Sequence, residues 1–353
     1  MKISNQDILN ALKHVDDPDL KKDLVTLNMI RDLIVDGNKV NFSVYLTTPA
    51  CPMKDFIENA CRNAIAHFVS EDLEVKIKMT AEVIGHSKSE ILPRVKNIIA
   101  IASGKGGVGK STVAAGLALA LSESGAATGL MDADIYGPSI PLLFGAVGEP
   151  VEMEVVDGKE LMKPITRNGI KLFSIGFLSS EKEAVVWRGP MVSSALKQFI
   201  NGVNWGDLDY LVIDLPPGTG DVQLTIVQNL PLTGAVIVST PQKLAIADAR
   251  RACAMFKIQG VDTPILGMVE NMSYFSPEDA PDKKYRIFGS GGVQTLANEF
   301  GSEVLGEIPI KEQMVEDGDN AGLGKDGHFE IFKDIAGRLV RQIAIQQAGI
   351  KTL

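Results

Sequence analysis

Residues 104–112 read Gly104-Lys105-Gly106-Gly107-Val108-Gly109-Lys110-Ser111-Thr112, and this stretch decides the fold. Gly104 and Gly109, followed by Lys110-Ser111, satisfy the pattern of a phosphate-binding loop. An apolar run, Val95 to Ala102, precedes it, and a helical pattern, Val113 to Ser122, follows it. In a strand–loop–helix context of this kind, glycines let backbone N–H groups turn inward around an anion. The helix N-terminus adds a favourable field. Lys110 is then placed to reach the β- and γ-phosphates of a nucleotide, and Ser111 to ligate Mg²⁺. The plain alternative, a glycine-rich turn that binds nothing, fits the pattern but not its context.

Carboxylates outside the loop fit the same chemistry. Asp214 ends the apolar run Tyr210-Leu211-Val212-Ile213, and ligands gather at the carboxyl ends of a parallel sheet. It is a natural holder of Mg²⁺ through water. Asp132 and Asp134 close the run Gly129-Leu130-Met131, and one of them is placed to reach Mg²⁺ and the attacking water. A turn or a helix cap is the bland reading of each aspartate. Lys105 stands apart, because a simple phosphate loop needs no lysine after its first glycine. A second ammonium there is badly placed for its own chain's phosphates. It is placed instead to reach a nucleotide across a dimer interface, as an arginine finger does, with a simply solvated lysine as the bland reading.

The wider pattern is α/β. Further apolar runs lie at Ile170 to Ile175, Ala235 to Ser239 and Ile265 to Val269, with helical patterns between, such as Val192 to Val203 and Leu244 to Gln259. Continuous apolar strands separated by helices predict a doubly wound, mainly parallel sheet with helices on both faces. Before it stands a smaller unit. Asn5 to Leu12 reads as a helix, Asp36-Gly37 as a hairpin turn, and Val40, Phe42, Val44 and Leu46 as one face of a strand. Pro52 to Phe68 reads as a helix and Leu73 to Met79 as a strand, which makes a small α+β domain. The polar stretch Gly85-His86-Ser87-Lys88-Ser89-Glu90 and Pro93 mark the boundary, so the expected division is 1–85, a linker 86–95, and 96–353.

Composition narrows the function. A chain of 353 residues suggests two domains. Its formal net charge of −9 excludes general binding to a nucleic-acid backbone as the main task. Three cysteines form no disulfide framework, which points to a reducing compartment and the cytoplasm. Met1 to Asp7 has no apolar run, so no signal peptide is expected, and no run approaches the length of a membrane span.

Several segments carry a family resemblance. Lys105 to Thr112, Asp132-Ala133-Asp134 and Leu211-Val212-Ile213-Asp214-Leu215-Pro216-Pro217-Gly218-Thr219-Gly220-Asp221 resemble the deviant Walker A ATPases, a class that includes MinD, ParA and the nitrogenase iron protein. Asp134-Ile135-Tyr136-Gly137-Pro138-Ser139, Trp187-Arg188-Gly189-Pro190-Met191 and Glu270-Asn271-Met272-Ser273-Tyr274 resemble its Mrp/ApbC branch of ATP-binding iron–sulfur cluster carriers. The front unit is similar to SufT/PaaD-type iron–sulfur assembly domains, through Asp17-Pro18-Asp19-Leu20, Asp23-Leu24-Val25 and Thr47-Thr48-Pro49-Ala50-Cys51-Pro52. The resemblance implies a homodimer with two ATPs at its interface, Lys105 acting in trans, Asp134 near the attacking water, Asp214 in the second switch region and Asn271 on the adenine, with Gly306-Glu307-Ile308-Pro309 bordering the base. It implies apoprotein clients or iron–sulfur assembly factors as partners, with no nucleic acid and no membrane.

One departure matters. Relatives of this kind carry a Cys-x-x-Cys after the Asn-Met-Ser element, whereas residues 274–286 here hold no cysteine. Carboxylates are hard ligands and poor substitutes for thiolate at an iron–sulfur centre. Of the three cysteines, Cys51 precedes Pro52 near an expected helix N-cap, where the dipole favours thiolate. It is the candidate iron–sulfur ligand, pairing with a second copy's cysteine and outside ligands. Cys61 and Cys253 are spaced like core positions. The four histidines form no metal-pair spacing, and Arg188 suits a nucleotide contact or a structural turn equally. The C-terminal pattern Phe332, Ile335, Leu339, Ile343 is amphipathic with few basic residues, which suits packing better than a membrane. Two classes remain in view. One is an Mg²⁺-dependent ATPase switch that binds and transfers clusters. The other is a nucleotide-switched scaffold that holds none. DNA or membrane partitioning conflicts with the charge.

Overall fold

Ser4 opens the first helix, α1 (Asn5–Leu12). Its Oγ accepts from Asp7 N, and Asp7 Oδ2 accepts from Ser4 N at 2.9 Å, so two N–H groups that a helix start leaves orphaned are satisfied. The computed structural model describes residues 3–83, 85, 91–178, 199–277, 279–323 and 330–348. After α1 come a short antiparallel pair, β1 (Asp16–Asp17) and β2 (Lys22–Asp23), then β3 (Ile30–Asp36), β4 (Lys39–Leu46), helix α2 (Lys54–Phe68) and β5 (Glu74–Ala81). The hairpin turns at Asp36-Gly37 as the sequence predicts. β4 lies in the middle of three strands, antiparallel to β3 and parallel to β5. A parallel neighbour requires a crossover, and α2 supplies it. Val40, Phe42, Val44 and Leu46 are buried with Ile8 and Leu12 of α1 and Ile57, Cys61 and Ile65 of α2. Truncating a buried phenylalanine such as Phe42 costs roughly 3–5 kcal/mol, which is the scale on which this small core is held.

The larger sheet begins with β6 (Val95–Ala102) and α3 (Lys110–Glu123). Next are β7 (Thr128–Asp132), α4 (Ile140–Leu143), the hairpin β8 (Met153–Val156) and β9 (Lys159–Met162), then β10 (Ile165–Arg167) and β11 (Ile170–Ser174), which runs into a 3-10 turn, Ile175–Phe177. Then follow β12 (Leu208–Asp214), α5 (Asp221–Asn229), β13 (Gly234–Ser239), α6 (Lys243–Phe256), β14 (Ile265–Glu270), α7 (Gly292–Phe300), β15 (Val304–Glu307), α8 (Glu312–Asp319) and α9 (Glu330–Gln347). The strand order is β10-β11-β7-β12-β6-β13-β14-β15, and every neighbouring pair is parallel except β10 with β11 at one edge. From β6 the chain winds to one side through β7, β11 and β12, then to the other through β13, β14 and β15. This is the doubly wound α/β fold with helices on both faces that the alternating pattern predicts.

Register shows why the central strands are apolar throughout. Val212 of β12 lies between Ile99 of β6 and Leu130 of β7, and all three are fully buried. Helix α3 has no polar face, since residues from Val113 to Leu121 are buried in succession. Every strand expected from an apolar run is present. β1, β2, β8, β9, β10 and β15 were not expected, because two to four residues carry too little periodicity to read.

The chain divides into Gly85–Leu339 and a second unit of Met1–Ile84 with Val340–Leu353. The last turns of α9 thus group with the front residues, where Arg341 Nε lies 2.6 Å from Asp19 Oδ1, rather than with the larger sheet. Phe332, Ile335, Leu339 and Ile343 are all buried. No helix among the described residues is long and apolar enough to cross a membrane. Trp187–Met191, residues 192–198 of the predicted helix, His86 and His328 lie outside the described residues.

Candidate nucleotide-binding site

The glycine-rich loop joins the carboxyl end of β6 to α3, as its sequence context requires. Helix α3 starts at Lys110 with Gly109 as its N-cap, in a left-handed conformation at φ +79° and with no side chain capping the helix. The first-turn N–H groups are therefore left to a ligand. Two glycines are fixed by close approach. A Cβ on Gly104 would lie 2.1 Å from the backbone carbon of Asp248 in α6, and one on Gly109 would lie 2.1 Å from Asn271 Nδ2. The loop borders a cavity of about 350 Å³, lined by Lys105, Gly106, Gly107, Gly109, Lys110, Ser111, Thr112, Asp134 and Pro217 among others. Val108 points away and is buried. That volume lies within the range of small-molecule and cofactor sites.

Parallel register sets the carboxylates in a row. Asp214 at the end of β12 pairs with Ile101 of β6 on one side and with Asp132 of β7 on the other. Lys110 Nζ lies 2.5 Å from Asp214 Oδ1 and 3.8 Å from Asp134 Oδ2. Asp132 Oδ1 accepts from Asp134 N at 3.1 Å, and Oδ2 accepts from Ile140 N at 3.1 Å and from Ser174 Oγ at 3.0 Å. Burial pushes the Asp132 carboxyl up to about 7, and the charge of Asp214 adds to the effect. Burial also raises Asp214, against the pull of Lys110 and the Ser111 hydroxyl, and raises Asp134, against Lys110.

One ammonium therefore faces three buried carboxylates. Asp214 Oδ2 has no hydrogen-bond partner among the described residues. A buried, unpartnered carboxylate oxygen beside a hydroxyl is what a hydrated Mg²⁺ would satisfy, so Ser111 and Asp214 fit that ion. No cluster of three or more acidic, histidine or cysteine side chains fit to hold a metal occurs among the described residues.

The remaining predicted residues are placed as follows. Lys105 is half-buried at the rim of the cavity, in no ion pair among the described residues, with its carbonyl accepting from Ser103 Oγ at 2.9 Å. Asn271 follows β14, and its Nδ2 donates to Val108 O at 2.8 Å. It braces the phosphate loop, a role its sequence position did not reveal. Glu307 is paired with Arg286 at 3.1 Å. Within the cysteine-free segment Phe275 forms an isolated antiparallel bridge with Tyr285, and Lys284 Nζ lies 4.3 Å from the centre of the Tyr274 ring.

The activated thiolate expected at Cys51 is not found. Helix α2 starts at Lys54 with Met53 as its N-cap, and burial pushes the Cys51 thiol up to about 11. The backbone hydrogen bond from Met53 lowers it, but not enough to offset that desolvation. Cys61 and Cys253 are core residues as predicted, fully buried, with thiols pushed up to about 12. Sequence reasoning missed Ser174. It is a small polar residue in an apolar strand, and only the register of β11 with β7 reveals its place beside Asp132.

Comparison with known proteins agrees with this geometry. Residues 94–341 match the NUBPL iron-transfer P-loop NTPases, and residues 5–79 match the iron–sulfur cluster assembly proteins. The iron–sulfur cluster carrier protein of Synechocystis sp. is 48% identical over 318 residues, covering 88% of each chain. That of Deinococcus radiodurans is 44% identical over 351 residues, covering 99% of this chain and 97% of its own. Among solved structures, a nucleotide-binding protein from Archaeoglobus fulgidus in complex with ADP is 39% identical, covers 69% of this chain and 94% of its own, and superposes with a TM-score of 0.59.

Proposed function

Because the chain belongs to the NUBPL iron-transfer P-loop NTPase family, with an iron–sulfur cluster assembly domain in front, we propose that it is an Mg²⁺-dependent, switch-type ATPase that works as a cytoplasmic homodimer. In this reading it binds iron–sulfur clusters and hands them to apoproteins. The observation that carries the ATPase part is the buried Lys110–Asp214 pair, 2.5 Å long, at the mouth of an uncapped helix. Names of relatives support the cargo.

Each residue has a physical task. The N–H groups of Gly106 to Ser111 and the start of α3 hold the phosphates. Lys110 leaves Asp214 for the β- and γ-phosphate oxygens. Mg²⁺, when bound, neutralises the charge that develops between those phosphates. Ser111 and the unpartnered Oδ2 of Asp214 hold it directly or through water. Asp134 is assigned to orient the attacking water, Lys105 to stabilise charge on the partner's nucleotide, and Asn271, besides bracing Val108 O, to contact the base. In the proposed cycle one water is consumed, the β–γ bridge breaks, ADP and phosphate leave, and the dimer would then open.

Phosphate release from MgATP tests the reading. Lys105→Ala is expected to keep ATP affinity by calorimetry and to lose hydrolysis. Wild-type protein that binds MgATP and releases no phosphate would remove the ATPase role, and full turnover in Lys105→Ala would remove the cross-dimer lysine.

A specific observation favours a second reading, a scaffold switch that holds no cluster. Residues 274–286 carry no cysteine, and Cys61 and Cys253 are inaccessible. Iron and acid-labile sulfide after anaerobic reconstitution separate the two readings. Substoichiometric iron in the wild type supports the scaffold. Iron and sulfide that fall in Cys51→Ala support the carrier.

A further inference from the structure

We propose that Ser174 is a positioning residue for hydrolysis, acting through Asp132 on the loop that carries Asp134. The inference rests on the ATPase reading above. Ser174 ends β11, a strand outside every motif of the nucleotide site, and its side chain is 0% exposed. A buried hydroxyl in an apolar strand is unfavourable unless it is hydrogen-bonded. This one has two partners. Its Oγ donates to Asp132 Oδ2 at 3.0 Å and accepts from Gly176 N at 3.0 Å.

The consequences run along the chain from Asp132. Its carboxylate holds the N–H of Asp134 at one end of the loop and the N–H of Ile140 at the other. Ser139, the N-cap of α4, offers no side-chain cap, so Asp132 replaces it. The 3-10 turn after Ser174 packs on the same loop. A methyl group on Gly176 would lie 3.1 Å from Pro138 and 3.3 Å from Pro141. Ser174 therefore fixes the rotamer of Asp132, and Asp132 fixes both ends of the segment that presents Asp134 to Lys110. With the hydroxyl gone, Asp132 loses one of the three hydrogen bonds that orient it, and both loop anchors loosen together.

The test uses the full-length, nucleotide-free protein and Ser174→Ala. Hydrogen exchange by mass spectrometry over residues 133–141 is expected to speed up about tenfold, the scale of one hydrogen bond to a charged group. With MgATP, kcat is expected to fall about tenfold while ATP affinity stays within about twofold. Exchange over 133–141 that matches the wild type overturns the proposal. So does a Ser174→Ala variant with unchanged kcat. Asp132→Asn with and without Ser174→Ala separates positioning from general destabilisation. The double variant should be no slower than Asp132→Asn alone, and additive losses would overturn the route through Asp132. A wild type that exchanges slowly over 133–141 yet never releases phosphate defeats the ATPase reading and leaves the exchange result to decide the latch.

Discussion

Lys110 Nζ lies 2.5 Å from Asp214 Oδ1, with the two side chains 6% and 0% exposed. The pair ties the first turn of α3 to the last residue of β12, so the phosphate loop and the end of that strand share one buried contact. Removing one partner leaves a desolvated charge behind. Lys110→Ala is expected to abolish ATP binding by calorimetry and to destabilise the nucleotide-free protein by about 3 kcal/mol in urea unfolding. Lys110→Ala with Asp214→Ala should recover part of that stability and none of the binding. Retained ATP affinity in Lys110→Ala would contradict the site.

Asp132 predicts a pH dependence. Its carboxyl moves from 3.8 in the unfolded chain to about 7 in the fold. Between those values the folded protein keeps a proton that the unfolded chain has released. The associated stability is full below the lower value and is lost as pH rises through the upper one. Urea unfolding of the nucleotide-free protein at a series of pH values should therefore show wild type losing ground to Asp132→Asn on going from about pH 4 to about 7. A difference that moves in wild type's favour would reverse the assigned sign.

Cys51 should be a sluggish nucleophile. Burial lifts its thiol from 9.0 to about 11, with Asp17 and Asp19 adding to the shift and Met53 N opposing it. At about pH 8 its thiolate fraction is about a hundredfold below that of an ordinary thiol. Iodoacetamide labelling of the native protein is expected to be slow at that pH and to climb steeply towards pH 11. Cys61 and Cys253 should label only on unfolding. Fast labelling of Cys51 at neutral pH would restore the activated thiolate that the sequence suggested.

The loop, its flanking strand and helix, and Asp214 were legible because each carries a local signal: a glycine spacing, an apolar run, a carboxylate at a strand end. Cys61 and Cys253 were legible from helical spacing. What escaped depends on contacts remote in sequence. Ser174 meets Asp132 only because β11 pairs with β7. Asn271 reaches Val108 across 163 positions, which no local pattern announces. Cys51 was misread because a proline was taken to start a helix that begins two residues later, and desolvation then outweighs the remaining dipole. The departure at 274–286 was plain in the sequence, but the Lys284–Tyr274 ring contact there was not.

The crowding of three carboxylates around a single lysine sets an order of arrival. On the proposed function, a bare triphosphate approaching that pocket would meet like charge, whereas one already chelated would bring its own counterion and meet less repulsion. In that reading the resting site would thus favour the metal-complexed form of its ligand, before any residue has touched the base.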